Sequence, residues 1–99
     1  MSETQKRSER AHRKQIHPDT VMNAVAETRK KLLFRLMEQK GYGTWTSRHE
    51  ILGFLTEEYA EVVEAVHSGS LDELKEELLD VAVGCIFAIA CINSKTLDW

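Results

Sequence analysis

The sequence predicts an all-α protein: an antiparallel helical hairpin with one helix before it, assembling into a helical-bundle homo-oligomer. Three observations carry this expectation. Apolar residues recur at helical spacing in three stretches, and the alternation expected of strands is scarce. The single proline, Pro18, stands at a helix start and not inside a helical stretch. Two capping-box patterns, Ser47-Arg48-His49-Glu50 and Ser70-Leu71-Asp72-Glu73, announce two further helices. At 99 residues, 42% hydrophobic and 29% charged, the chain reads as one ordinary globular domain.

Residues 1–17 carry five basic groups (Lys6, Arg7, Arg10, Arg13, Lys14) against two acidic ones and are expected to form a flexible basic tail. Residues 18–99 are expected to form a single helical domain. Pro18-Asp19-Thr20 opens a first helix, over about 20–40, with Val21, Val25, Leu32 and Leu36 in helical register. Gly41 and Gly43 stop it. A short aromatic loop containing Tyr42 and Trp45 leads to a second helix, over about 48–67, closed by Ser68-Gly69. The third runs over about 71–93. The link between the last two is so short that they must pack as an antiparallel hairpin.

The third helix is apolar on every side after Asp80. A monomer of this size cannot hide such a surface, so a homodimer or homotetramer is expected. The same run, Val81 to Ile92, is twelve residues long and too short to span a bilayer. The charged N-terminus carries no secretory signal pattern. Cys85 and Cys91 lie about 9 Å apart along one helix, beyond disulfide reach, and read as apolar fillers in a reducing compartment. A cytoplasmic protein is expected.

The chemistry concentrates in two acidic pairs. Glu57-Glu58-x-x-Glu61 is followed, after fifteen residues, by Glu77-x-x-Asp80. Spacing of i, i+3 sets two carboxylates one turn apart on one side of a helix. Glu58 falls inside the apolar arc of Ile51, Phe54, Leu55, Tyr59, Val62, Ala65 and Val66, and Glu61 falls on its edge. Glu77 borders the arc of Leu74, Leu78 and Val81. Asp80 sits where the third helix changes from half-exposed to buried. An ionised carboxylate facing a core is costly unless it is paired or binds a metal. In the hairpin, Glu61 and Glu77 lie at matching distances from the turn, so the four acids converge. Four converging carboxylates call for a hard divalent cation, and the natural reason to hold one is a phosphate substrate.

Glu57-Glu58-Tyr59-Ala60-Glu61, a short gap, then Glu77-Leu78-Leu79-Asp80 resembles the EExxE…ExxD signature of the MazG-like, all-α nucleoside triphosphate pyrophosphohydrolases. The resemblance covers residues 20–93 and is strongest over 47–92. It implies helical dimers or tetramers that use Mg²⁺, with Mn²⁺ able to substitute. It implies hydrolysis of (deoxy)nucleoside triphosphates to a monophosphate and pyrophosphate in a nucleotide-pool house-cleaning role. By motif position, Glu58, Glu61, Glu77 and Asp80 would be the metal ligands. A sister branch acting on phosphoribosyl-ATP stays open.

Several further residues admit two readings. Glu57 is either a water-activating base or a solvated surface glutamate. Trp45 either stacks on a nucleobase or anchors its loop. His49 either touches phosphate or sugar or is merely exposed. Lys75 and Lys95 are candidate phosphate contacts, and the cluster Arg29, Lys30, Lys31 and Arg35 either forms a solvated face or supplies phosphate contacts from a neighbouring protomer. Gly84 either leaves room for a ligand or permits close helix packing. A catalytically silent helical adaptor is the rival to the enzyme. Nucleic-acid binding by the tail is disfavoured by the acidic body, in which residues 57–80 hold nine acidic groups and one basic group.

Overall fold

The protein, a computed structural model, is described for Ser2 and residues 13–98. Most of the expected basic tail lies outside the described residues; residues 13–17 are exposed and non-helical. Three α-helices follow: α1 (Pro18–Phe34), α2 (Arg48–Ser68) and α3 (Leu71–Asn93). The all-α expectation holds, with no strand among the described residues.

Each helix begins where its sequence signal stands. His17 Nδ1 accepts the Asp19 backbone N–H at 3.0 Å, and Pro18 fills the first turn, where its missing N–H costs nothing. Ser47 Oγ accepts from Glu50 N at 3.2 Å, and Ser70 Oγ accepts from Glu73 N at 3.1 Å. Glu50 returns the favour to the preceding residue: its Oε1 accepts the Thr46 hydroxyl at 2.9 Å. The first helix differs from its expected regular course. Beyond Phe34 the backbone widens into a π-helical turn, Arg35–Lys40, which Gly41 ends with φ of +76°. The apolar periodicity of the sequence carries no mark of that widening.

The hairpin of α2 and α3 is the body of the fold, and α1 packs on α3. The closed core is small. Ala65, Val83, Gly84, Ala88 and Cys91 are the buried residues of the helices. The apolar arc expected on α2 is split by the packing. Phe54, Val62 and Ala65 face α3, whereas Tyr59 (70% exposed) and Val66 (58%) do not. With Leu52, Leu55 and Val63 they form a separate exposed stripe at three- and four-residue intervals. Leu32 on α1 and Leu36 in the π-helical turn are half-buried, while Val21 and Val25 stand exposed. Cys85 and Cys91 are free thiols, the first half-buried and the second buried.

At the far end of the hairpin the chain folds back on the loop before α2. Thr96 Oγ1 donates to the Trp45 carbonyl at 3.1 Å, and the Asp98 backbone N–H donates to the Thr46 carbonyl. The Trp45 ring packs 5.3 Å from Phe54 and edge-on to Phe87 at 5.4 Å. Phe54 in turn lies over Gly84: a Cβ there would meet the ring at 1.8 Å. Gly84 permits this close packing, and it also borders the cavity between the first helix and the hairpin.

Gly84→Ala is expected to push Phe54 and Trp45 outward and to destabilise the fold by about 1–3 kcal/mol, the usual cost of overpacking. Gly53, exposed in the middle of α2 with nothing within 4 Å of its would-be Cβ, is the contrasting site. Gly53→Ala is expected to stabilise by roughly 0.5–1 kcal/mol through backbone entropy. Urea denaturation of both variants checks the pair.

Candidate metal centre

The two acidic pairs meet as the hairpin requires. One carboxylate oxygen from each of Glu58, Glu61, Glu77 and Asp80 lies within 4.8 Å of the other three. Among the described residues no other set of His, Cys, Asp or Glu side chains converges in this way. Glu58, Glu77 and Asp80 are half-buried and Glu61 is exposed, so the group sits at the rim of the helix pair and opens to solvent on one side.

Two of these carboxylates are held in an unfavourable state. Glu58 Oε2 and Glu77 Oε2 are buried without a hydrogen-bond partner. A buried polar atom left unpaired costs on the order of 1–3 kcal/mol, more when charged. Burial pushes the Glu58 carboxyl above the ordinary glutamate range, with the nearby charges of Glu61 and Asp80 adding to the effect. Glu77 is raised as well, first by its hydrogen bond with Glu61 and then by burial.

Asp80 behaves in the opposite way. Burial works to raise its carboxyl, but Lys31 and Arg35 outweigh it and hold the group below the ordinary aspartate range. Lys31 Nζ lies 2.9 Å and Arg35 Nη2 2.7 Å from the same atom, Asp80 Oδ1. Lys31 also reaches Glu76 at 2.9 Å. Burial favours the neutral amine of Lys31, yet Asp80 and Glu76 more than compensate and raise its pKa. Sequence reasoning had these two basic residues on a solvated face or serving a neighbouring protomer. A signal was present: Lys31 and Arg35 are spaced i, i+4 and immediately precede Leu32 and Leu36, the α1 residues that turn toward α3.

Two cavities flank the acids. One, of about 430 Å³ at the hairpin turn, is lined by Glu61, Glu64, Asp72, Glu73, Glu76 and Glu77 and would repel an anionic ligand. The other, of about 410 Å³, lies between the end of α1 and the hairpin. Trp45, Phe54, Phe87, Leu32 and Leu36 give it apolar walls, and Arg35, Lys40, Glu57 and Glu58 give it charged ones. Glu57 is exposed at this cavity's edge, and Trp45 borders it while also anchoring its loop.

The remaining candidates are not brought to the acids; Arg29 and Lys30 stay exposed on α1 and line neither cavity. Lys75 pairs with Glu27 of α1 at 2.7 Å. Lys95, at φ of 57°, lies past the end of α3, some 20 Å along the helix from Asp80. His49 is exposed in the first turn of α2, roughly 13 Å along the axis from Glu58.

The donor set suits a hard divalent ion. All four residues offer carboxylate oxygens, and Glu58 and Glu77 each carry a buried oxygen without a hydrogen-bond partner. No helix among the described residues is long and apolar enough to cross a membrane. No curated protein and no solved structure matches the chain. The sequence profile of the MazG nucleotide pyrophosphohydrolase domain, however, matches residues 46–97. Both acidic pairs and the hairpin that carries them fall inside that match, which takes in more than half of the residues, and on this ground the chain belongs to the MazG nucleotide pyrophosphohydrolase family.

Proposed function

We propose that the protein is a Mg²⁺-dependent nucleoside triphosphate pyrophosphohydrolase that converts (deoxy)nucleoside triphosphates to monophosphates and pyrophosphate. The observation that carries this reading is the pair of buried, partnerless oxygens on Glu58 and Glu77 within a quartet of converging carboxylates. Glu58, Glu61, Glu77 and Asp80 would hold the ion, and Mn²⁺ has the same preference for oxygen donors. When bound, the ion supplies charge neutralisation at the phosphates and a more acidic water.

The protein's own residues do the rest. The aromatic cavity is the favoured seat for the nucleoside, because the other cavity is walled by carboxylates. Trp45, braced by Phe54 and Phe87, offers a fixed apolar surface to a base. Glu57, on the same wall as Glu58, is the residue to accept a proton from the attacking water. Phosphoryl transfer asks mainly for positioning and charge stabilisation, which a site built of carboxylates and a few cations can supply.

A homo-oligomer belongs to the same reading. The exposed stripe Leu52, Leu55, Tyr59, Val63 and Val66, together with Ile86, Ile89 and Ile92 on α3, is more apolar surface than a small monomer usually leaves uncovered. The free thiols of Cys85 and Cys91 suit a reducing, cytoplasmic setting.

Three outcomes are expected. Pyrophosphate release across a panel of ribo- and deoxynucleoside triphosphates should require Mg²⁺ and should vanish in Glu58→Gln. That variant should melt at the same temperature as wild type or higher in the absence of metal, because a buried charge is gone. A Glu58→Gln enzyme with wild-type turnover refutes the assignment. The second outcome concerns pH. Glu58 and Glu77 hold protons above the ordinary glutamate range, so the metal-free fold binds more protons than the unfolded chain there and loses stability as pH rises through that window. Ion binding requires the deprotonated groups. The gain in melting temperature from Mg²⁺ should therefore grow as pH rises above the ordinary glutamate range; a gain that is flat or shrinks with pH contradicts it. Third, Tyr59→Glu should lower the mass measured by light scattering to that of a smaller assembly, and an unchanged mass would clear the α2 stripe of any interface role.

A further inference from the structure

Asp80 is the one member of the quartet that already has cations of its own. Its Oδ1 receives both Lys31 and Arg35, at 2.9 and 2.7 Å, while Glu58 Oε2 and Glu77 Oε2 have no partner. Charge is thus unevenly shared among four acids that lie within 4.8 Å of one another. Any divalent ion that takes Asp80 must compete with two positive charges for it.

The displaced cations have a destination. Arg35 lines the aromatic cavity beside Glu58, and it makes no other ion pair among the described residues. Lys31 keeps Glu76 as a second anchor. The guanidinium fork of Arg35 matches two oxygens of a phosphate as well as it matches a carboxylate. Arg35 also opens the π-helical turn, and turns of that kind recur where a helix must carry a functional group.

We propose that Lys31 and Arg35 are the phosphate-recognising arm of this site, parked on Asp80 until a divalent cation takes that carboxylate and then turned to the phosphates of the nucleotide. The proposal rests on the metal-centre reading above. It assigns the arm to the same chain as the acids, and it makes the metal-free site self-neutralised on the Asp80 side. Free Mg²⁺ then binds against a competitor, and a polyphosphate gains the two cations that the ion has released.

Calorimetry on the full chain tests this in two steps. Mg²⁺ alone is titrated into wild type, Lys31→Gln, Arg35→Gln and the control Lys30→Gln, an exposed neighbour on α1. Inorganic tripolyphosphate is then titrated in saturating Mg²⁺. Lys31→Gln and Arg35→Gln should each bind Mg²⁺ several-fold more tightly than wild type and Lys30→Gln. Each should bind tripolyphosphate roughly tenfold more weakly, as for a lost charged hydrogen bond. A readout that needs no variant is the Arg35 Nε–H resonance in wild type, which should move on adding Mg²⁺ and move again on adding tripolyphosphate. Unchanged tripolyphosphate affinity in both variants, a Mg²⁺ affinity that tracks Lys30→Gln, or a stationary Arg35 resonance overturns the proposal. Wild type that binds no Mg²⁺ overturns the metal centre and this proposal together. Mg²⁺ binding without pyrophosphate release from any nucleotide overturns only the hydrolase reading.

Discussion

Like charges forced together at the edge of a dry interior govern this protein. The hairpin gives Glu58, Glu61, Glu77 and Asp80 no way to avoid one another, since each pair is fixed one turn apart on its helix and the turn fixes the level of the two helices. Three compensations operate at once. Asp80 is neutralised by Lys31 and Arg35, Glu58 is shifted toward its neutral form, and Glu77 is shifted the same way. Each is a local answer to the same electrostatic problem, and together they define where positive charge is wanted.

This constraint also explains why α1 sits where it does. Its apolar contribution is modest, because no residue of α1 is buried. Leu32 and Leu36 cover part of α3, but Lys31 and Arg35 bind it to the acids, and Lys75 ties back to Glu27 further along. An exposed ion pair such as Lys75 with Glu27 contributes little. The half-buried contacts to Asp80 are more consequential, since removing both cations would leave a partly desolvated carboxylate unpaired. The helix is therefore docked in good part through its ion pairs to Asp80.

Much of this was legible in the residues. Capping serines and bounding glycines gave the helix limits closely, because those signals act locally. The acids could be placed because i, i+3 spacing and a short link leave one geometry. Two things were hidden. The apolar arc of α2 does not say which of its edges meets α3, so Tyr59 and Val66 were read as core when they form a separate exposed stripe. The docking of α1 depends on contacts 45 residues apart in sequence, and no local pattern fixes which way Arg35 points. The roles of Trp45 and Gly84 likewise became distinct only once Phe54 was seen lying between them.

The fold closes by fastening its last residues to the loop that carries Trp45, through Thr96 and Asp98. The aromatic wall thus takes its position from two distant parts of the chain, one before the hairpin and one after it. Loosening either clasp frees an indole ring without touching an acid. The position of the aromatic wall and the position of the acids are, by this construction, separately adjustable in one small domain.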